Sequence, residues 1–504
     1  MKSVFSKHIR WWLYIGHRWL GIATCLLCAM WFVSGVVMMY VPYPRVTDRE
    51  RLALLSDLDL SRLAITPDAA MRTANLAYFP ASLHLAMLLG EPVYRIVEGG
   101  KRSTISAVDG RVIDNVDASM ALRIVRAATS GRVPPTQPVP TREEGAPELP
   151  RPAVETLIHD QWTVAQGFNP HRPLHKISLN DEAGTEFYVS SHTGEIVQDT
   201  TRHERFWNWL GAVPHWLYPT VLRQNGEAWR QVVLWTSGPA TIGAIAGLWV
   251  GILRLRMRHR YRGGRVSPYR GWMKWHHVAG IVAGLFLTTW LWSGWLSVNP
   301  FRWFDRTQTP QAALRAYAAH EKPTFGVDVS ALGALPSGSR DARLQWFDGR
   351  PLIVTRDAKA IEQVFDARSG LPVTLAEADI AKAAARLVPD APITSVTLLT
   401  EEDAYWYSHH NERRLPVLRA TFGDEAGTWI HLDPVTGDVL GRSNSSARTY
   451  RWLFNALHDF DLRVLLRNRP MWDIVVIALS IAGLIISVSG IVIGWRRLGR
   501  KFAA

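Results

Sequence analysis

Apolar positions gather into four long runs, and polar positions fill two long stretches between them, 42–201 and 299–447. The runs are roughly Trp11 to Val41, Trp229 to Leu253, Trp275 to Val298 and Trp472 to Trp495. Each is long enough to cross a hydrocarbon core of ~30 Å at about 1.5 Å per residue. Tryptophan and tyrosine stand near several of their ends, as an interfacial belt would. The pattern predicts an integral membrane protein with four transmembrane helices.

Within the polar stretches the period shortens to alternation around turn residues. Strand–turn–strand units are expected at Thr104 to Asp114, Phe187 to Gln198, Glu362 to Val373 and Ile430 to Gly441, around Asp109-Gly110, Thr193-Gly194, Ser369-Gly370 and Thr436-Gly437. Helices are expected at Pro67 to Leu76, Ser119 to Ala128, Pro152 to Ala165, Pro310 to Glu321 and Leu375 to Leu387, with a Pro- and Glu-rich linker at Arg132 to Pro152. Each stretch is long enough for a compact domain of its own, and two small α+β modules per stretch describe it most economically.

The runs come in two copies. His17, Gly21, Trp31, Ser34 and Gly35 recur 259 residues later as His276, Gly280, Trp290, Ser293 and Gly294. Trp209, His215, Trp229, Gly247 and Gly251 recur 243 residues later as Trp452, His458, Trp472, Gly490 and Gly494. That second register reaches back through Pro173, Asp181 to Thr185 and Thr193-Gly194, which match Pro416, Asp424 to Thr428 and Thr436-Gly437. Gap-free matches of this length predict two tandem parallel repeats.

The formal net charge of +13 changes the picture less than its placement does. Three Lys/Arg precede Trp11, eight fall between Arg254 and Lys274, and four follow Trp495, in segments without Asp or Glu; the other 42 nearly balance 44 carboxylates. By the positive-inside rule both termini and the central loop are cytoplasmic and the two long stretches lie across the membrane. The basicity serves topology and anionic lipid contact, and nucleic acid is not an expected partner. Lys2, Lys7 and Arg10 before the first run resemble a signal peptide, but the run is too long and lacks a small-residue cleavage site, so it reads as a retained anchor. Cys25 and Cys28 lie inside the first span; a covalent haem site would need histidine at position 29, where Ala stands.

The expected chain order is therefore an N-terminal segment with the first span (1–41), a first exported domain (42–201), an interfacial helix with the second span (202–253), and a basic cytoplasmic loop (254–274). The third span (275–298), a second exported domain (299–447), an interfacial helix with the fourth span (448–495) and a tail (496–504) follow.

Histidine inside a membrane span is costly and usually functional. His17 and His276 lie near the start of spans one and three, which run the same way, so a pseudo-two-fold axis along the membrane normal would bring them together. His215 and His458 precede spans two and four in aromatic segments, Phe206 to Tyr218 and Tyr450 to Phe460, expected as short helices at the outer interface. Each pair suits bis-histidine haem ligation, one ligand per repeat. Zinc is a weaker alternative, because no carboxylate or thiolate accompanies either pair. His277 points ~100° from His276 on a helix and is a second choice. Arg18, Arg223 and Arg467 are candidate partners for haem propionates, with interfacial anchoring as the alternative. Tyr405 to His410, with Tyr407, His409 and His410 foremost, is a candidate exported substrate or electron-exit site; half-buried strand residues would look much the same.

His17-Arg-Trp-Leu-Gly21 leading to Ser34-Gly35, the exported Thr193-Gly-Glu-Ile-Val197 and Thr436-Gly-Asp-Val-Leu440, and the closing Gly494-Trp-Arg-Arg497 resemble the PepSY-associated transmembrane family of bacterial inner-membrane proteins. The resemblance runs over essentially the whole chain, through short motifs in a distinctive order. It implies PepSY-like α+β loop domains in the periplasm and a link to iron acquisition. Some members are di-haem ferric-siderophore reductases, which makes His17, His276, His215 and His458 candidate ligands of two haem b groups. PepSY modules are also associated with peptidase inhibition, but no Ser/His/Asp or H-E-x-x-H constellation supports proteolysis here. No nucleotide-binding motif is present, so electrons must come from a membrane quinol or a separate reductase.

The leading expectation is a transmembrane reductase. Electrons enter at the haem on His17 and His276, cross to the haem on His215 and His458, and leave to a periplasmic ferric chelate, whose hold on iron weakens on reduction. Two rivals are a non-enzymatic membrane protein whose exported modules bind peptides or partners, and a transport component for iron or its chelate.

Overall fold

The structure, a computed structural model, describes residues 2–130, 152–305, 307–333, 335–409 and 411–502. The expected linker at Arg132 to Pro152 lies almost wholly outside the described residues. Four helices are long and apolar enough to cross a membrane, within Lys2–Met38, Gly226–Arg254, Gly271–Leu296 and Arg469–Phe502. They pack in a ring in which the first touches the second and fourth, and the third touches the same two. The first and third helices therefore face each other across the middle. Much of their outer surface is apolar and exposed, Trp235, Val282 and Ile474 among it, as a face turned to lipid would be.

Both polar stretches fold at the same end of this bundle. The first supplies strands β1 (Ser82–Leu88), β2 (Glu91–Glu98), β3 (Lys101–Ser106) and β4 (Val112–Ile113). It continues with β5 (Ala153–Leu157), β6 (Leu174–Ser178), β7 (Glu186–Ser190) and β8 (Ile196–Thr200). The second supplies β9 (Ser339–Phe347), β10 (Arg350–Asp357) and β11 (Glu362–Asp366). It ends with β12 (Ile393–Leu399), β13 (Val417–Phe422), β14 (Trp429–Leu432) and β15 (Val439–Ser443). Strands β5 to β8 and β12 to β15 form two four-stranded antiparallel meanders.

The remaining strands corrected the expectation of self-contained domains. They form one seven-stranded sheet, ordered β11-β10-β9-β1-β2-β3-β4, which runs from one stretch into the other. At the seam Leu85 lies opposite Ala342, and one core mixes Leu83, Leu85 and Tyr94 with Phe325, Leu344 and Ile353. Left alone, β1 and β9 would each present an open edge of unpaired backbone, and pairing them removes both. Matching tight turns flank the seam: Leu89-Gly90 and Asp348-Gly349 all have φ between 48° and 77°, which closes two-residue hairpins with the twist of their strands.

Two further expectations changed. Pro152 to Ala165 contains strand β5 and a short 3-10 turn, not a helix. Val154 and Thr156 are β-branched at alternate positions and pair with Ile177 and His175. The unit around Ser369-Gly370 closes only a single bridge, Phe365 to Pro372, and no second strand extends from it. The other three hairpins form, and four expected helices form within a few residues of their bounds.

A candidate bis-histidine site at each end of the bundle

Short helices carry two of the four repeat-matched histidines. Thr201 and Glu204 form a capping box that starts the helix Arg202–Leu210. The chain then bends at Gly211, where a Cβ would lie 2.9 Å from Val37, and a second short helix, Ala212–His215, ends on the histidine. In the second half Asn444 caps Ser445–Leu453, the bend falls at Phe454, and Asn455–His458 ends the same way. Leu217 and Phe460, two residues beyond each histidine, take left-handed φ of 52° and 53° and turn the chain away. The indoles of Trp31 and Trp290 donate to the carbonyls of His215 and His458, each at 2.9 Å. Trp229 and Trp472 donate to the next carbonyls, of Trp216 and Asp459, at 2.8 and 2.9 Å. Each histidine segment is thus pinned from two spans.

At the other end His17 and His276 project from the facing first and third spans, with ring centres 6.0 Å apart and planes 35° apart. His215 and His458 lie 6.2 Å apart at 66°. Two metal–nitrogen bonds of about 2 Å each, plus the distance from each nitrogen to its ring centre, add to roughly 6 Å. Both separations therefore suit one metal between two imidazoles.

Hydrogen bonding assigns the ring protons. His17 Nδ1 is 3.0 Å from the Gly243 carbonyl, and His276 Nδ1 is 3.0 Å from that of Ile486. A carbonyl only accepts, so Nδ1 carries the proton and the neutral ring keeps its lone pair on Nε2. At the second pair His215 Nδ1 lies 3.1 Å from Ser34 Oγ, and His458 Nδ1 3.1 Å from Ser293 Oγ. Each serine spends its own proton on a helix carbonyl, Ser34 on Met30 at 2.7 Å and Ser293 on Trp290 at 3.1 Å, so each accepts from its histidine. Burial, with His458 adding to it, pushes His215 down to about 4, which keeps that ring neutral. A partner fixing Nδ1–H and leaving Nε2 as donor atom is the outer-sphere pattern of metal-bound histidine.

His277 is built differently. Its Nε2 donates to the Gly251 carbonyl at 2.9 Å, so its lone pair is on Nδ1, where Ser267 Oγ donates at 2.8 Å. Both nitrogens are spent.

Glycines line the rings. A Cβ on Gly247 would strike the His17 ring, one on Gly490 would lie 3.5 Å from His276 Cε1, and those on Gly35 and Gly294 would each lie 3.3 Å from Cε1 of His215 and His458. At each end, then, the histidines come from one diagonal pair of spans or their leading helices, and the glycines from the other pair. A flat macrocycle gripped through its centre needs this arrangement, because its edges extend toward the helices that do not supply ligands. Among the described residues no three His, Cys, Asp or Glu side chains gather as a metal cluster, so neither pair has the further ligands of a protein-only zinc site. The donor set and the glycine cradles fit haem.

The remaining candidates are spread unevenly. Tyr407 Oη donates to Asp461 Oδ2 and His409 Nδ1 binds Asp461 Oδ1, each at 2.6 Å, three residues past His458. The segment is irregular and largely enclosed, with the His409 ring 5.2 Å from that of Trp472. Burial, then the bond to Asp461, raises the Tyr407 phenol above its ordinary value. His410 lies outside the described residues. Arg223 stacks between Tyr218 and Trp229, at 4.9 and 4.8 Å, near His215. Arg467 is more than half exposed and held by Glu401 at 3.3 Å, and Arg18 is half-buried on the first span.

Sequence reasoning gave no role to Ser34, Ser293, Gly247 or Gly490, although all four stood among the repeat anchors. Asp461 and Arg451 carried no signal of that kind. Comparison with protein-family models gives no match for this chain, and comparison with curated proteins gives none either. The class that the fold and site define is a four-span membrane protein with α+β domains at one end and a facing histidine pair near each end of its bundle.

Proposed function

We propose that this chain is a di-haem b reductase of a bacterial inner membrane, built from two tandem parallel repeats, that delivers electrons to a periplasmic acceptor, a ferric siderophore or similar iron chelate. One observation carries the proposal: all four histidines hold Nδ1–H in a hydrogen bond and keep Nε2 for a ligand, in two pairs of ring separation near 6 Å. The repeat reading draws support from contacts that recur at offsets of 259 and 243, among them those of Trp31 and Trp290, and of Ser34 and Ser293. Basic segments at both termini and between spans two and three favour a cytoplasmic location for them and a periplasmic one for the sheets. The short motifs shared with PepSY-associated membrane proteins agree with this assignment.

When bound, haem would supply a one-electron carrier near each membrane face. The chain's own part is to hold each ring in one tautomer, to exclude water with the spans, and to keep the cradle open with glycine. Tyr407, His409 and Asp461 extend from the outer pair into the second exported region and are the proposed exit toward the acceptor. The donor is a membrane quinol or a separate reductase; lipid is the other partner, and nucleic acid has no role.

A reduced-minus-oxidised spectrum of the purified protein tests this. A b-type signal at roughly two haems per chain is expected. Its absence after expression in a haem-sufficient host would reject the reductase and favour a peptide-binding or transport role.

A further inference from the structure

Two arginines beside the outer pair, one buried and one half-buried, carry buried donors that no protein atom satisfies. Arg451, 8% exposed, sits on the helix leading into His458. Its Nη2 donates to the Asp461 carbonyl at 2.5 Å, and its guanidinium lies 4.1 Å from the Trp452 ring and 5.2 Å from that of Tyr407. Its Nε and Nη1 are buried with no hydrogen-bond partner. Arg223, stacked beside the His215 segment, likewise has Nε and Nη1 buried and unpartnered.

A guanidinium cannot shed its charge, so stranded donors among aromatic rings call for a negatively charged acceptor. The nearby carboxylates are already engaged: Asp461 accepts from Tyr407 and His409, Asp403 from Arg419 and two backbone N–H groups, and Glu402 from the Ser408 N–H. Arg467 offers no such donor, being 55% exposed and neutralised by Glu401. The enclosure of Arg451 favours a resident group over a diffusing chelate.

Resting on the di-haem reading, we propose that Arg451 and Arg223 each bind a propionate carboxylate of the haem held by His215 and His458, and that Arg467 does not. The two arginines are not repeat mates, since Arg451 matches Asn208 and Arg223 matches Leu466. The repeat alone would not have found them.

The test compares Arg451→Gln, Arg451→Lys, Arg223→Gln and Arg467→Gln in the full chain by haem content, redox titration of each centre and the propionate-bending band in resonance Raman spectra. Gln at 451 or 223 should move that band and lower the potential of the outer centre, because an unneutralised carboxylate favours ferric iron, while the inner centre stays unchanged. Lysine at 451 should keep the potential near wild type and still move the band. Arg467→Gln should change nothing. The inner-centre spectrum reports folding; if Arg451→Gln loses both centres, Arg451→Lys and Arg223→Gln decide. Two haems in the wild type, with band and outer potential unmoved in the readable 451 and 223 variants or moved in Arg467→Gln, would overturn this proposal and leave the di-haem reading standing. No haem in the wild type would overturn both.

Discussion

Adjacent histidines on the third span should respond to truncation in opposite ways. His276→Ala removes a ring whose Nδ1 bonds the Ile486 carbonyl, deep inside a helix and already paired along it, and Ser489 Oγ, which keeps its own bond to Ile485 at 2.7 Å. Little is stranded, so stability without haem should change by less than about 1 kcal/mol. Haem content should fall from roughly two to one per chain. His277→Ala removes a ring, 7% exposed, that caps the second span. Gly251 lies in that helix's last turn, where carbonyls have no partner along the helix, and His277 supplies one. Ser267 loses its acceptor as well. Two stranded buried groups at ~1–3 kcal/mol each give a loss of roughly 2–6 kcal/mol, toward the lower end if water reaches the loop. Haem content should stay at two. Thermal unfolding in detergent, read beside the reduced-minus-oxidised spectrum, measures both quantities on one sample. If His277→Ala loses the inner centre while His276→Ala keeps both, the tautomer argument is refuted.

Three other outcomes are expected. Gly247→Ala places a methyl against the His17 ring and should weaken the inner haem by ~1–3 kcal/mol, whereas Gly16→Ala, with nothing within 4 Å, should not; haem titration separates them. Ser293→Ala removes the acceptor for His458 Nδ1–H, makes that ring a poorer electron donor, and should raise the potential of the outer centre alone in a redox titration. Asp341, 1% exposed at the sheet seam, bonds His84 at 2.9 Å and pairs with Arg356 and Arg51. Burial alone would raise its carboxyl, but the bonded His84 ring and the two guanidiniums outweigh it and hold it well below the usual range. The stability it contributes is complete above its unfolded value of ~3.9 and fades as pH falls below that, so Asp341→Asn should cost ~3–5 kcal/mol at pH 7 and flatten the acid limb of a denaturation profile followed by near-UV circular dichroism.

What is legible in the sequence is local or repeated. Apolar runs of the right length mark the spans because a helix in lipid must satisfy its backbone internally. Turn pairs such as Thr193-Gly194 mark hairpins because left-handed φ suits glycine. The four histidines stood out by offset alone, and Ser34, Ser293, Gly247 and Gly490 were visible as anchors without a role. Ala153–Leu157 is a strand where a helix was expected, because a short half-exposed segment takes its state from the strand it meets.

The sequence by itself determined four apolar helices, their duplicated anchors and the residue types available at each end. Only the tertiary structure decided that β1 joins β9 across the two polar stretches, that His276 keeps a lone pair which His277 has spent, and that Arg451 is buried with donors to spare while Arg467 is not. The physical reason is range. Hydropathy and turn chemistry act between residues a few positions apart, whereas a ring proton, a sheet edge or a stranded guanidinium is settled by atoms from ten to more than two hundred residues away, and their pairing exists only once the chain has folded.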